Sequence, residues 1–338
     1  MNTALFAGLI VSLIATALVL PYWIRKCRIV GLLWEDMNKF NHPKKVAGSG
    51  GIVVVFAFIL GVLTYIAIQT FLFNENSTIR LQIFSLLSVI LILALVGLVD
   101  DLLGWKHGGL SWRFRIFLAL IASIPLVVIN VGNHTMGFPF IGQVNLSWIY
   151  PLIFVPLAII GTTTTYNFLA GFNGLEAGQG VILLSFLSFV AFVTGSSWLA
   201  IIGLTMVASL LIFYFYNRFP AKVFPGDILT YAIGALIGIM AIMGNFEKIA
   251  LFMFIPYIIE TVLKVKGKLK KYSFGIPDKQ NNLTLPYDRI YGLTHLSIFI
   301  LSKFKKQVKE RDVVYFIFLL QICICLISLL IFSNTLFL

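Results

Sequence analysis

Charge is scarce in this chain, and so is cysteine. Only 11% of its 338 residues are charged, 13 Asp and Glu against 25 Lys and Arg, which is too few to clothe an ordinary soluble domain. Of its three cysteines, Cys27 lies in a basic stretch while Cys323 and Cys325 sit inside an apolar run, so neither a disulfide framework nor a metal-binding cysteine set is indicated. The opening "MNTALFAGLIVSLIATALVLPYWIRK" has no basic segment ahead of its apolar stretch, and that stretch is longer than a signal peptide's. It reads as a retained first span. No internal repeat and no low-complexity segment is visible.

What is present is apolar residue, 59% of the chain, with a mean hydropathy of +0.98. That composition belongs to an all-α polytopic membrane protein. Apolar runs near 4–23, 51–73, 82–99, 114–131, 148–166, 180–195, 197–217, 228–244, 248–263 and 313–333 predict about ten transmembrane helices. The whole of 1–338 is expected to form one integral-membrane domain. Its only long connection, about 264–312, has room for a small element of strand and short helix.

Orientation follows from where the basic residues fall. With both termini outside, all of the 25 Lys and Arg except Arg80 and Lys248 gather in the cytoplasmic loops. The net charge of +12 is thereby explained as a topology signal, and nucleic acid is not an expected partner. Asp100, Asp101, Glu176, Asp227, Asp278 and Asp288 fall on the same face, whereas Glu75 and Glu247 face outward. The polar chemistry is expected at one surface.

Four stretches carry it. "LVGLVDDLLGW" sets Asp100 and Asp101 near the negative end of a helix dipole, where carboxylates are disfavoured by roughly 0.3–1 kcal/mol each and ask for a compensating cation; a solvated turn is the plainer reading. "FPGDILTYAIGALIG" places Asp227 just before a span, either as a helix N-cap or as a ligand for a hard cation such as Mg²⁺. "YNFLAGFNGLEAGQG" brings amides and glycines to the same face: Asn167 can offer a carbonyl oxygen to a metal and Asn173 can bond a nucleotide or sugar, or the amides serve only their own turns. Its glycines, Gly171, Gly174, Gly178 and Gly180, suit a tight turn and close approach to a ligand. "NKFNHPKKVAGSGG" presents Lys44 and Lys45 before Gly48, Gly50 and Gly51, suited to phosphate or, equally, to packing. Lys106, Arg113 and Arg115 flank the paired acids, as topology signal or lipid-headgroup contacts.

Together, "PKKVAGSGG", "LVDDLLGW", "NFLAGFNGLEAGQ" and "FPGD" resemble, in their order, the polyprenyl-phosphate N-acetylhexosamine-1-phosphate transferases. That superfamily includes the archaeal and eukaryotic UDP-GlcNAc:dolichyl-phosphate GlcNAc-1-phosphotransferases and the bacterial phospho-N-acetylmuramoyl-pentapeptide translocase. The third motif is more like the dolichol branch, with Ala170 where the muramoyl enzymes carry aspartate. The resemblance implies transfer of GlcNAc-1-phosphate from UDP-GlcNAc to dolichyl or another polyprenyl phosphate, releasing UMP. It implies Mg²⁺, with Mn²⁺ as a substitute, held by Asn167 and Asp227. Asp100 and Asp101 would lie beside the acceptor phosphate, Asn173 and Glu176 would bind the UDP-sugar, and Lys44 and Lys106 would contact substrate. The family's His/Arg cluster is not evident in 264–312, where Arg289 and His295, with Lys270 and Lys271 behind, are the nearest cationic candidates.

Direct attack by the lipid phosphate is the expected mechanism, with Asp100 orienting or deprotonating that phosphate and with positioning and charge neutralisation as the main work. The expected setting is a cell membrane, or the endoplasmic reticulum if the cell is eukaryotic, with the catalytic face cytoplasmic and a homodimer as an open expectation. A secondary transporter would place ionisable groups near mid-membrane and show inverted repeats; neither is seen. A different UDP-N-acetylhexosamine or undecaprenyl phosphate would require few recognisable changes.

Overall fold

Within hydrocarbon every backbone N–H and C=O must find a partner inside its own segment, and the apolar runs accordingly become helices. The computed structural model describes residues 6–73, 77–138 and 142–333. The chain enters as α1 (Ala7–Val30), turns through the antiparallel hairpin β1 (Leu33–Glu35) and β2 (Lys44–Ala47), and continues as α2 (Gly51–Ile68), which a π-helical turn extends to Phe73. Then follow α3 (Ser77–His107), α4 (Trp112–Ala122), α5 (Ile124–Val128) and a second hairpin, β3 (Thr135–Phe138) with β4 (Gly142–Asn145). A π-helical turn (Tyr150–Phe154) leads into α6 (Val155–Phe168), followed by α7 (Leu175–Val193), α8 (Ser197–Asn217), α9 (Asp227–Met243), α10 (Glu247–Met253) and α11 (Ile255–Lys266). The long connection holds β5 (Ile276–Pro277), β6 (Leu283–Thr284) and α12 (Leu293–Ser302) before α13 (Glu310–Ile331).

Six helices are long and apolar enough to cross a bilayer: α1, α2 with its π-helical turn, α3, α7, α8 and α13. The protein is a multi-pass membrane protein. The other expected spans differ in form. Those at 114–131 and 248–263 are broken into two pieces and that at 148–166 opens as a π-helical turn, with Pro125, Pro151, Pro156 and Pro256 at or near the starts of the pieces, where a missing N–H costs no intrahelical bond; Pro21 lies inside the continuous α1. The span at 228–244 is the single short helix α9.

Small residues set how closely the helices approach. Gly8 lies against the Gly61 backbone, and Ser12 bonds both the Ser209 hydroxyl and the Thr205 carbonyl, drawing α1, α2 and α8 together. At the centre stands α9, buried from Ile228 to Ile242 and packed by α2, α3, α6, α7, α8 and α10. Its first residue therefore meets whatever the surrounding helices carry at the same end.

Candidate functional site

Two glycines bring the aspartates together. Gly97 on α3 lies so close to the Asp227–Ile228 backbone that a Cβ could not fit, and Gly226, at φ 73°, lies against the Asp101 carboxylate with no room for a side chain. Asp101 Oδ1 accepts a hydrogen bond from the Asp227 amide at 2.7 Å, an anion at a helix N-terminus where the dipole favours it. Asp227 is the first residue of α9, and its side chain makes no capping bond. Instead its Oδ2 accepts from the Asn167 amide at 3.2 Å and stands 3.4 Å from Arg115. Asn167 Oδ1 in turn accepts from the Thr230 hydroxyl at 2.9 Å.

The compensating cation that the paired acids ask for is Arg115 on α4. Its Nη1 lies 3.1 Å from Asp100 Oδ2 as well as 3.4 Å from Asp227, and its Nε donates to the Leu110 carbonyl at 3.0 Å. The sequence offered it only as a topology signal, and no spacing rule could show that α4 folds back across the end of α3. Asp100 Oδ1 is taken up by the Leu110 amide at 2.5 Å. Asp101 Oδ2, by contrast, is buried with no hydrogen-bond partner, and Asp101, not Asp100, opens on the cavity.

That cavity, about 560 Å³, is lined among others by Lys44, Asp101, Asn167, Gly171, Glu176 and Asp227. Trp34, Phe172, Phe224, Tyr272 and Phe274 supply flat apolar walls. Glu176 Oε1 accepts from the Gly171 amide at 2.8 Å, which fixes the turn between α6 and α7. Among the described residues four carboxylates, those of Glu35, Asp101, Glu176 and Asp227, line the space against one ammonium, Lys44, so an anionic ligand would be helped by a cation that enters with it. The donors present are hard oxygens, with Asp101 Oδ2 unsatisfied, and an amide whose O and N can exchange places. Among the described residues no three His, Cys, Asp or Glu side chains could share one metal. A site with few protein carboxylates that leaves positions for water and phosphate fits Mg²⁺.

Other expectations land elsewhere. Asn173 is buried away from this cavity, its Nδ2 bonded to Asp36 at 3.1 Å and its N–H to Glu310 at 2.7 Å. Of the four turn glycines, Gly178 and Gly180 lie inside α7 against Phe318 and Ile233 and serve packing. The amides of Gly50 and Gly51 are consumed by the Phe224 and Pro225 carbonyls, both at 2.9 Å, so the start of α2 locks the loop before α9 and has no free amide there for phosphate. Arg289 is exposed and does not line the cavity. His295 is fully buried; burial, with Lys264 nearby, pushes its pKa down to about 4, so at neutral pH it is no cation. Tyr272 and Phe274, from the same connection, reach the cavity instead. The side chain of Lys106 lies outside the described residues.

The sequence has counterparts among known proteins. A model of glycosyl transferase family 4 matches residues 83–245. A Sulfolobus acidocaldarius protein, provisionally named UDP-N-acetylglucosamine–dolichyl-phosphate N-acetylglucosaminephosphotransferase, is 34% identical over 90% of this chain and 88% of its own length. A Dictyostelium discoideum protein of the same name, without the proviso, is 32% identical over 68% of this chain and 64% of its own. A Bacillus subtilis protein named as a probable undecaprenyl-phosphate N-acetylglucosaminyl 1-phosphate transferase is 28% identical over 80% of this chain and 74% of its own.

Proposed function

This chain belongs to the polyprenyl-phosphate N-acetylhexosamine-1-phosphate transferases of glycosyl transferase family 4, and on that premise we propose that it transfers GlcNAc-1-phosphate from UDP-GlcNAc to dolichyl phosphate, giving GlcNAc-diphosphodolichol and UMP. One observation carries the reading: Asp101, Asn167 and Asp227, from three distant segments, converge on a single cavity, with Asp100 tied to Asp227 through Arg115.

Asn167, Asp227 and the free oxygen of Asp101 would hold Mg²⁺, which supplies charge neutralisation at the donor diphosphate when bound. Lys44 offers the cavity's one ammonium to a phosphate. Asp101 would lie beside the acceptor's phosphate as well as the metal. Asp100, with both oxygens engaged, acts through Arg115 by fixing where that guanidinium stands. The acceptor brings its own nucleophilic oxygen, so attack is direct and no residue is modified on the way. The aromatic walls suit a planar base.

In this reading the helices make ten passes, both termini lie outside, and the cavity opens to the cytoplasm, where a nucleotide sugar is met. Purified protein in lipid, given labelled UDP-GlcNAc and dolichyl phosphate, is expected to release UMP only with Mg²⁺ or Mn²⁺ present. Absence of metal-dependent UMP release would count against the transferase. Mass spectrometry of the lipid product, with undecaprenyl phosphate offered in parallel, identifies sugar and acceptor together.

A further inference from the structure

A second cavity, about 390 Å³, lies beyond the Asn173 turn, between the C-terminal end of α8, the loop 218–222 and the first turns of α13. Arg218, Lys222 and Arg311 line it, with Tyr214, Phe219 and Tyr315 among its walls. No carboxylate lines it. Among the described residues none of the three cations forms an ion pair. Arg218 lies over the Phe215 ring at 5.2 Å and Arg311 over Phe219 at 5.8 Å, contacts that hold the guanidinium planes without neutralising them. Arg311 also sits in the first turn of α13, where the helix dipole disfavours a cation. Asp312, next to Arg311, offsets part of that charge from outside the cavity lining; the three cations, none in an ion pair, still repel each other around one concavity, and a bound anion would relieve that repulsion.

We propose that this cavity binds a phosphate-bearing anion, with Arg218 and Arg311 gripping the phosphate and Lys222 adding charge at the mouth. The phosphate could arrive on an anionic phospholipid headgroup or as a free soluble ion. Phe215 and Tyr315 are exposed at the rim, on membrane-crossing helices near their ends, as suits a ligand that carries an acyl tail. The site shares no lining residue with the first cavity, but two chain segments border both. Asn173 follows Gly171 and Phe172, and Lys222 precedes Phe224 and Asp227 on one loop. An occupant therefore braces both segments that shape the first cavity.

The test uses the full chain in detergent, titrated with phosphatidylglycerol or phosphatidylcholine and read by native mass spectrometry, with inorganic phosphate titrated separately in a thermal-shift assay. Wild type is expected to retain one phosphatidylglycerol. The double variant R218Q/R311Q should lose about tenfold or more in affinity, and K222Q, an exposed and structurally mild change, should lose less. The control K303Q/K306Q removes two exposed lysines of the same face and is expected to bind as wild type. If inorganic phosphate alone stabilises wild type and not R218Q/R311Q, while the lipids do not discriminate, the site stands with a soluble occupant. Equal retention of both lipids with no phosphate shift, or binding indifferent to R218Q/R311Q and K222Q, overturns the proposal.

Discussion

Two groups of wholly or partly buried acids stand at the same end of this bundle, and only one of them opens on a large cavity. Asp101 and Asp227 line it. Asp36 and Glu310 do not: Asp36 is paired with Lys39 and bonded by the Asn173 amide, and Glu310 takes the Asn173 N–H and, at 3.4 Å, the Asn38 amide. Each group keeps one oxygen without a partner, Asp101 Oδ2 in the first and Glu310 Oε2 in the second. Burial and an unsatisfied atom are thus common to both, and access is what separates them. The open group has oxygens left for a ligand, while the closed group clasps the first loop, the Asn173 turn and α13 to one another.

The largest break in that comparison is expected at Asp227. Asp227→Asn should lower UMP release on the order of 10²- to 10³-fold, as when a charge-stabilising group is taken from a transition state, with the protein still monodisperse. Retained turnover at saturating Mg²⁺ would remove Asp227 from the metal shell. His295, which belongs to neither group and does not line the cavity, should act on stability alone. An unfolded chain takes up a proton near pH 6.5, but the native fold refuses it until about pH 4. Stability therefore falls as pH drops through that window and levels off beneath it, by up to about 3 kcal/mol. Unfolding followed between pH 7 and pH 4 should show that slope, and His295→Gln should flatten it.

Smaller effects sharpen the same line. Arg115→Gln is expected to cost activity about 10- to 100-fold, as for removal of a group that orients a metal-site carboxylate, and Arg115→Lys should recover only part, since one ammonium cannot stand between Asp100 and Asp227 and also donate to the Leu110 carbonyl, as Nη1 and Nε of the guanidinium do. A Lys variant as active as wild type would reduce Arg115 to a counter-charge. Glu310→Gln should lower stability by about 1 kcal/mol while turnover per folded molecule stays unchanged. A fall in turnover greater than the fall in folded fraction would place Glu310 with the open group.

Much of this was legible beforehand, for physical reasons. Apolar runs and Lys/Arg placement mark membrane helices because hydrocarbon penalises nearly everything else, and the four polar motifs stood out against that background. Asn167, Asp227 and Asp101 were named from them. What stayed hidden depended on tertiary approach. Nothing in "WRFRIF" shows that Arg115 crosses to Asp100, and nothing in "VAGSGG" shows that its amides are spent on the Phe224 and Pro225 carbonyls. In the 264–312 segment, charge and imidazole drew attention to Arg289 and His295, yet burial neutralises the histidine and the cavity takes Tyr272 and Phe274. The breaks within the runs at 114–131 and 248–263 left no mark in hydropathy, which averages over the residues on either side.

The central helix has 17 residues, about 25 Å of rise, against roughly 30 Å of hydrocarbon. Packed among its neighbours, it never has to match that thickness, and at its Asp227 end the first cavity opens. At the aspartate end the hollow works like a harbour cut below the shoreline. Water and nucleotide can come down to the depth at which a polyprenyl chain already floats, so the lipid need not be lifted out of the bilayer to react.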